Sequence, residues 1–171
     1  MAGRHIHKRA INESVVGIYL PTVLGSITGT VRALAVSTTA LSTAVLAIGG
    51  DDGTITIVMG NTWDNKRTLT GHGSGVSALV SMMQQPKQGE LVLEHNILVS
   101  SGSEDGTIKA WVADDDGTYT MQQTLTGHCN GASALKLKQC AVQALALTTD
   151  DAGDATLFSG SDDGTVKLWI V

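Results

Sequence analysis

Proline and cysteine are almost absent from this chain, with two of each in 171 residues. With so little proline, turns must be made by the 20 glycines together with aspartate and asparagine. That composition suits many short strands joined by tight turns. Cys129 and Cys140 are too few for a disulfide framework, and their spacing matches no zinc motif. The expectation is reduced thiols in a cytoplasmic protein. Long apolar runs are missing too, and no segment reaches the roughly 18 residues of a membrane-spanning helix. Residues 1–14 are basic, with Arg4, Arg9 and no acid before Glu13, but lack the apolar stretch of a secretory signal. They read as a disordered tail, with a short organellar presequence as the alternative. A net charge of -5 gives no electrostatic basis for binding nucleic acid. A Gly-x-Ser-x-Gly elbow, a Walker loop and a dinucleotide fingerprint are all missing, so the common nucleophile and nucleotide motifs assign no catalytic residue.

What the chain does have is repetition. GGDDGTITIVM ends at Met59, SGSEDGTIKAWV ends at Val112, and SGSDDGTVKLWIV closes the sequence. Thr-Gly-His precedes the second and third copies, at Gly71-His72 and Gly127-His128. A group that recurs once per repeat belongs to the framework of the repeat, whereas a catalytic group normally occurs once. Alternation and turn signals place strands at Val31–Val36, Ala44–Ile48, Thr54–Met59 and Lys66–Thr70 in the first unit. The second unit has Val76–Ser81, Ile97–Ser101, Thr107–Val112 and Tyr119–Leu125. The third has Ala132–Leu137, Thr156–Ser159 and Thr165–Val171. Short β-branched strands between Gly/Asp turns define an all-β class. Gly53 and Gly106 are 53 residues apart, and Gly106 and Gly164 are 58 apart. The extra length is expected between the first and second strands of a unit, at Met82–Asn96 and Lys138–Ala155. Insertions at equivalent places emerge on one face, where partners commonly bind.

Gly71-His72 with SGSEDGTIKAW, and Gly127-His128 with SGSDDGTVKLW, resemble the WD-repeat (WD40) family of β-propellers, over about residues 25–171. The resemblance implies a partial propeller of about three four-stranded antiparallel blades. It also implies a hydrogen-bonded tetrad in each of two blades: His72, Ser101, Asp105 and Trp111, then His128, Ser159, Asp163 and Trp169. The first unit departs from the pattern, with Thr30 for the His, Ile48 for the Ser and Val58 for the Trp, while Asp52 keeps its turn. Apolar packing should replace the tetrad there. The repeat region then runs over 15–171, with blades at roughly 31–70, 72–125 and 128–171, and the 15–27 stretch completes a blade as an N-terminal strand does in the family. Typical propellers have about 4–8 blades, so three leave two sheet faces open. Two chains pairing into a six-bladed homodimer, a longer propeller, or a different protein that supplies blades would each cover them.

Other side chains invite chemical readings. His5 and His7 have a zinc-compatible spacing but sit in the basic tail without carboxylates, and His95 is alone in the second insertion. Asp114-Asp115-Asp116-Gly117 and Asp150-Asp151 with Asp154 offer oxygen ligands for calcium, yet read more simply as solvated turns. Asp51/Asp52, Glu104/Asp105 and Asp162/Asp163 look like acid/base pairs, but they recur once per repeat. Cys129 follows His128 directly, and neighbours on a strand point to opposite faces. No catalytic, cofactor-binding or metal-binding residue is therefore assigned. The expected function is a non-catalytic protein–protein interaction scaffold that presents hairpins, insertions and blade faces to protein partners. A propeller enzyme or ligand/metal module with a site at the central channel is the alternative, and a truncated product without independent function is a third.

Overall fold

Apolar residues alternating with small or polar ones, interrupted by Asp-Gly-Thr, build eleven antiparallel strands and no helix among the described residues. The computed structural model describes residues 25–38, 43–60, 65–84, 95–102, 105–114, 116–128, 140–150 and 154–170, the side chains of 84 and 95–102 excepted. The first sheet holds β1 (Val31–Thr38), β2 (Ala44–Gly50), β3 (Ile55–Met59) and β4 (Lys66–Leu69) in that order. The second holds β5 (Val76–Gln84), β6 (His95–Gly102), β7 (Ile108–Ala113) and β8 (Tyr119–Leu125). The third has β9 (Val142–Thr149), β10 (Ala155–Ser161) and β11 (Val166–Ile170). Each sheet is a meander, and the first strands lie side by side, β1 against β5 and β5 against β9.

The hairpin between the second and third strands of each sheet is closed by the same local chemistry. One carboxylate oxygen of Asp52 accepts the Thr54 backbone N–H at 2.9 Å and its hydroxyl at 2.7 Å. Asp105 binds Thr107 in the same way at 2.8 and 2.9 Å, and Asp163 binds Thr165 at 2.9 and 2.7 Å. The glycine between them takes φ of 80°, 64° and 80° at Gly53, Gly106 and Gly164. That left-handed conformation disfavours any residue with a Cβ.

Residues opposite one another in register share a sheet face, and these faces make the joints between sheets. Val45, Ala47, Ile55, Ile57 and Leu69 of the first sheet bury against Val76, Leu79, Trp111, Ala113 and Tyr119 of the second. Ile108, Ala110 and Leu125 on the second sheet's other side pack with Val142 and Leu157 of the third, flanked by Trp169. Polar contacts tie the first joint: Ser81 donates to Ser37 at 2.8 Å, and Arg67 donates to the Thr118 hydroxyl at 2.8 Å.

Four sequence expectations change here. The first strand of the third sheet is Val142–Thr149, paired with β10 from Ala155↔Thr149 to Ser161↔Val142, and not Ala132–Leu137, which lies outside the described residues. Half of Lys138–Ala155 is therefore strand, and the extra length of this unit lies at 129–139, between His128 and β9. In the second unit β5 and β6 extend into the expected insertion, at Met82–Gln84 and His95–Asn96, so only 85–94 stands between them. Cys140 belongs to a disulfide, which overturns the expectation of a free thiol; Cys129 lies outside the described residues. The tail at 1–14 and the 15–24 part of the expected closing strand also lie outside them.

Candidate functional site

The third sheet contains a linear hydrogen-bonded chain. Trp169 Nε1 donates to Ser159 Oγ at 2.8 Å, and Ser159 Oγ is 2.8 Å from His128 Nε2. His128 Nδ1 is 3.0 Å from Asp163 Oδ2. The pattern fits an imidazole whose Nδ1–H donates to the carboxylate while Nε2 accepts the serine proton. The two rings meet edge to face, with centroids 6.2 Å apart. Ser159, His128 and Asp163 thus have the order and spacing of a Ser-His-Asp triad. Ser159 is only 1% exposed, however, and its oxygen already receives the Trp169 N–H. A nucleophile needs an open approach to its oxygen, and this oxygen has none. The arrangement pairs two buried groups, on Ser159 and His128, with two part-buried ones, on Asp163 and Trp169; a buried group left unpaired costs about 1–3 kcal/mol.

The second sheet repeats the His–Asp half. His72 Nδ1 is 3.0 Å from Asp105 Oδ2, which also accepts the Gly73 N–H at 3.1 Å. Ser74 Oγ accepts the Asp105 N–H at 3.1 Å, which fastens the hairpin to the incoming chain. Burial opposes ionisation of Asp105, but hydrogen bonds from His72 and Thr107 and the nearby His72 charge outweigh it and hold the carboxyl at about 2. Trp111 is buried in the joint with the first sheet.

The serine position differs between the two sheets. In the third, Ser159 lies across from Lys167, two residues before Trp169. In the second, the residue across from Lys109 is Ser100, and Ser101 lies across from Ile108. Ser101 to Trp111 and Ser159 to Trp169 are equally long in sequence, so the backbone of β6 is displaced by one residue relative to β10. Backbone pairing thus sets Ser100 across from Lys109, as Ser159 is set across from Lys167.

In the first sheet Ile48 and Val58 are buried where the others carry serine and tryptophan. Asp51 takes the role of the missing His–Asp link: its carboxylate accepts the Thr30 N–H at 2.9 Å, and its own N–H donates to the Thr30 carbonyl at 3.0 Å. The Thr30 bonds lower the Asp51 pKa. A cleft of about 220 Å³ lies under the Thr28-Gly29 turn, lined by Ile27, Asp52, Thr54, Thr56, Lys66 and Thr68 among others. In the second and third sheets the indoles of Trp111 and Trp169 pack beneath the equivalent Gly71 and Gly127. The cleft sits on outer strands β3 and β4, away from the first strands that run side by side.

The acidic clusters are turns. Asp116 accepts the Thr118 N–H at 2.8 Å between β7 and β8, where Arg67 also donates to the Asp116 carbonyl at 3.1 Å. Asp150 accepts the Asp154 N–H at 2.9 Å between β9 and β10. Among the described residues no three His, Cys, Asp or Glu side chains are grouped to hold a metal. His5 and His7, and the side chain of His95, lie outside them. Sequence reasoning missed the Asp-Thr lock of the hairpins and the first strand of the third sheet. Both left a signal, Asp-Gly-Thr and Val-x-Ala-Leu, each present three times in register: Val31-Arg-Ala-Leu, Val76-Ser-Ala-Leu and Val142-Gln-Ala-Leu.

Three successive antiparallel meanders, two of them stitched by His–Asp pairs and each of those carrying a tryptophan on its third strand, define a segment of a WD-repeat propeller. The model of the WD domain, G-beta repeat, matches residues 63–111 and 119–169, and the chain belongs to that family. It is 27% identical over 127 residues to the nuclear distribution protein PAC1 of Komagataella phaffii, which covers 73% of this chain and 23% of PAC1. Its fold is similar to the crystal structure of RRP9 WD40 repeats, with a TM-score of 0.52 and 28% identity, over 81% of this chain and 33% of that one. The chain therefore spans less than a quarter of the curated relative's length and a third of the solved chain's. Proteins of this family generally serve as scaffolds for protein interaction.

Proposed function

We propose that this chain is a non-catalytic WD-repeat scaffold whose partners are proteins bound at its sheet end faces and hairpins. The observation that carries this reading is the inversion of polarity between inside and outside. The groups with chemical potential, Ser159, His128 and Asp163, are consumed in a buried framework, while Phe158, Val166, Leu168 and Ile170 face solvent on one side of the third sheet. Contiguous exposed apolar side chains mark surfaces for protein contact. Partner completion by a second copy or by a larger assembly fits the same faces.

Two measurements test the proposal. Hydrolysis of activated esters should proceed at the same background rate with the chain and with Ser159→Ala; a rate that depends on Ser159 would make the buried triad an active site. Cross-linking mass spectrometry in the native cell should place links to other proteins on the sheet end faces and hairpins. Recovery of the chain with no protein cross-link at those surfaces would remove the scaffold reading.

A further inference from the structure

We infer that Cys140 is bonded to Cys129, and that the bond is a redox latch: it fastens the segment ahead of β9 and opens without dismantling the third sheet. Cys140 is disulfide-bonded, no cysteine is free, and the chain has one other, Cys129. Within one chain the partner is therefore Cys129. The inference stands apart from the scaffold reading, because the latch needs no partner protein.

Both cysteines adjoin groups that are already tied to one turn. Cys129 follows His128, whose Nδ1 is 3.0 Å from Asp163 Oδ2. The Cys140 carbonyl accepts the Ser161 hydroxyl at 3.3 Å, and the Ala141 carbonyl accepts the Asp162 N–H at 3.0 Å. Three consecutive residues of the β10–β11 turn thus hold the two ends of the segment that the sulfur bond closes. The second sheet holds Cys140 from the other side: a Cβ at Gly106 would stand 3.3 Å from its carbonyl oxygen, and the Val142 carbonyl accepts the Ser77 hydroxyl. His128, Cys140 and Val142 are all buried. With the ends held by these contacts, the two thiols stay neighbours after reduction, and the bond re-forms at high effective concentration. What reduction removes is the covalent brake on local opening between the ends. A closed ring of about a dozen residues also restricts the unfolded chain, so reduction lowers stability without being required to break the fold. Opening is thiol–disulfide exchange with a dithiol reductant. One of its thiolates attacks a sulfur, its second releases the mixed disulfide, and the chain keeps two thiols while the reductant leaves as its own disulfide. Closing reverses these steps with an oxidised dithiol.

The test uses the purified full chain, oxidised and after reduction by a dithiol, together with Cys129→Ser, which leaves the buried Cys140 in place. The oxidised chain should have the covalent mass of one chain less two hydrogens, with the peptides carrying Cys129 and Cys140 joined until reduced. Reduction should lower Tm by roughly 5–10 °C. It should leave the near-ultraviolet circular dichroism at room temperature unchanged. Trypsin should then cut at Lys136 and Lys138 faster than before, with Lys167 in β11 little affected. Cys129→Ser should match the reduced chain in each measurement. An oxidised dithiol should return the reduced parent, but not the variant, to the oxidised pattern. A disulfide between chains on a non-reducing gel would overturn the inference, as would two thiols in the air-oxidised chain. Loss of the near-ultraviolet spectrum on reduction would make the bond a staple that the sheet needs. An unchanged tryptic pattern would show that opening it releases nothing, and either result sinks the latch.

Discussion

Ser159 Oγ lies 2.8 Å from His128 Nε2, a catalytic distance spent on holding a sheet together. The serine hydroxyl donates to the imidazole and accepts from the Trp169 indole, so both neighbours lose their partner if it is removed. Ser159→Ala should therefore destabilise by about 1–3 kcal/mol. For a domain of this size that lowers Tm by roughly 2–4 °C per kcal/mol. Asp163→Ala should fall in the same range, because it also unties the Thr165 turn. Calorimetric melting checks both, and an unchanged Tm would show that the network contributes nothing net.

The Asp105 carboxyl is held at about 2 in the folded chain against an ordinary value of 3.8. A depressed folded pKa gives stability that is present above about pH 4 and is lost as pH falls toward 2. Partial exposure reduces its worth to the order of 1 kcal/mol. Urea midpoints measured from pH 5 to 2 should fall more steeply for the parent than for Asp105→Asn. Parallel curves would place the acid-sensitive group elsewhere.

Ser100 and Ser101 offer a direct test of the one-residue displacement in β6. With Ser100 across from Lys109, as Ser159 is across from Lys167, Ser100→Ala should cost more stability than Ser101→Ala. A loss confined to Ser101→Ala would put β6 in the register of the third sheet.

The disulfide at Cys140 predicts that this cysteine resists alkylation in denaturant until a reductant is added. Mass mapping of the alkylated peptide gives the answer. Immediate labelling without reductant would return Cys140 to the free thiol that the cysteine count suggests.

Much of the fold is legible because its punctuation is chemical. Each Asp-Gly-Thr fixes a hairpin by hydrogen bonds within three residues, so the strands on either side of Gly53, Gly106 and Gly164 follow from local sequence. The third sheet's first strand does not follow in this way. Ala132-Ser-Ala-Leu and Val142-Gln-Ala-Leu share one pattern, and that pattern alone cannot say which of them pairs with β10. Tertiary contact decides, with Val142 buried beside Leu157. The serine of the second sheet is harder to read, since motif spacing counts residues along one strand while register is set across two. The disulfide was hidden because two cysteines carry no pattern.

The Asp-Thr locks also bear on how the chain reaches this structure. Contacts made across two residues close orders of magnitude faster than pairings across dozens. The three central hairpins are then the natural nuclei, each formed independently of the others, with flanking strands zipping outward. The His72–Asp105 and His128–Asp163 bonds span 33 and 35 residues, and loop closure over that length predicts that they form after the hairpins. Replacing a turn threonine should slow refolding, whereas replacing a histidine should chiefly speed unfolding.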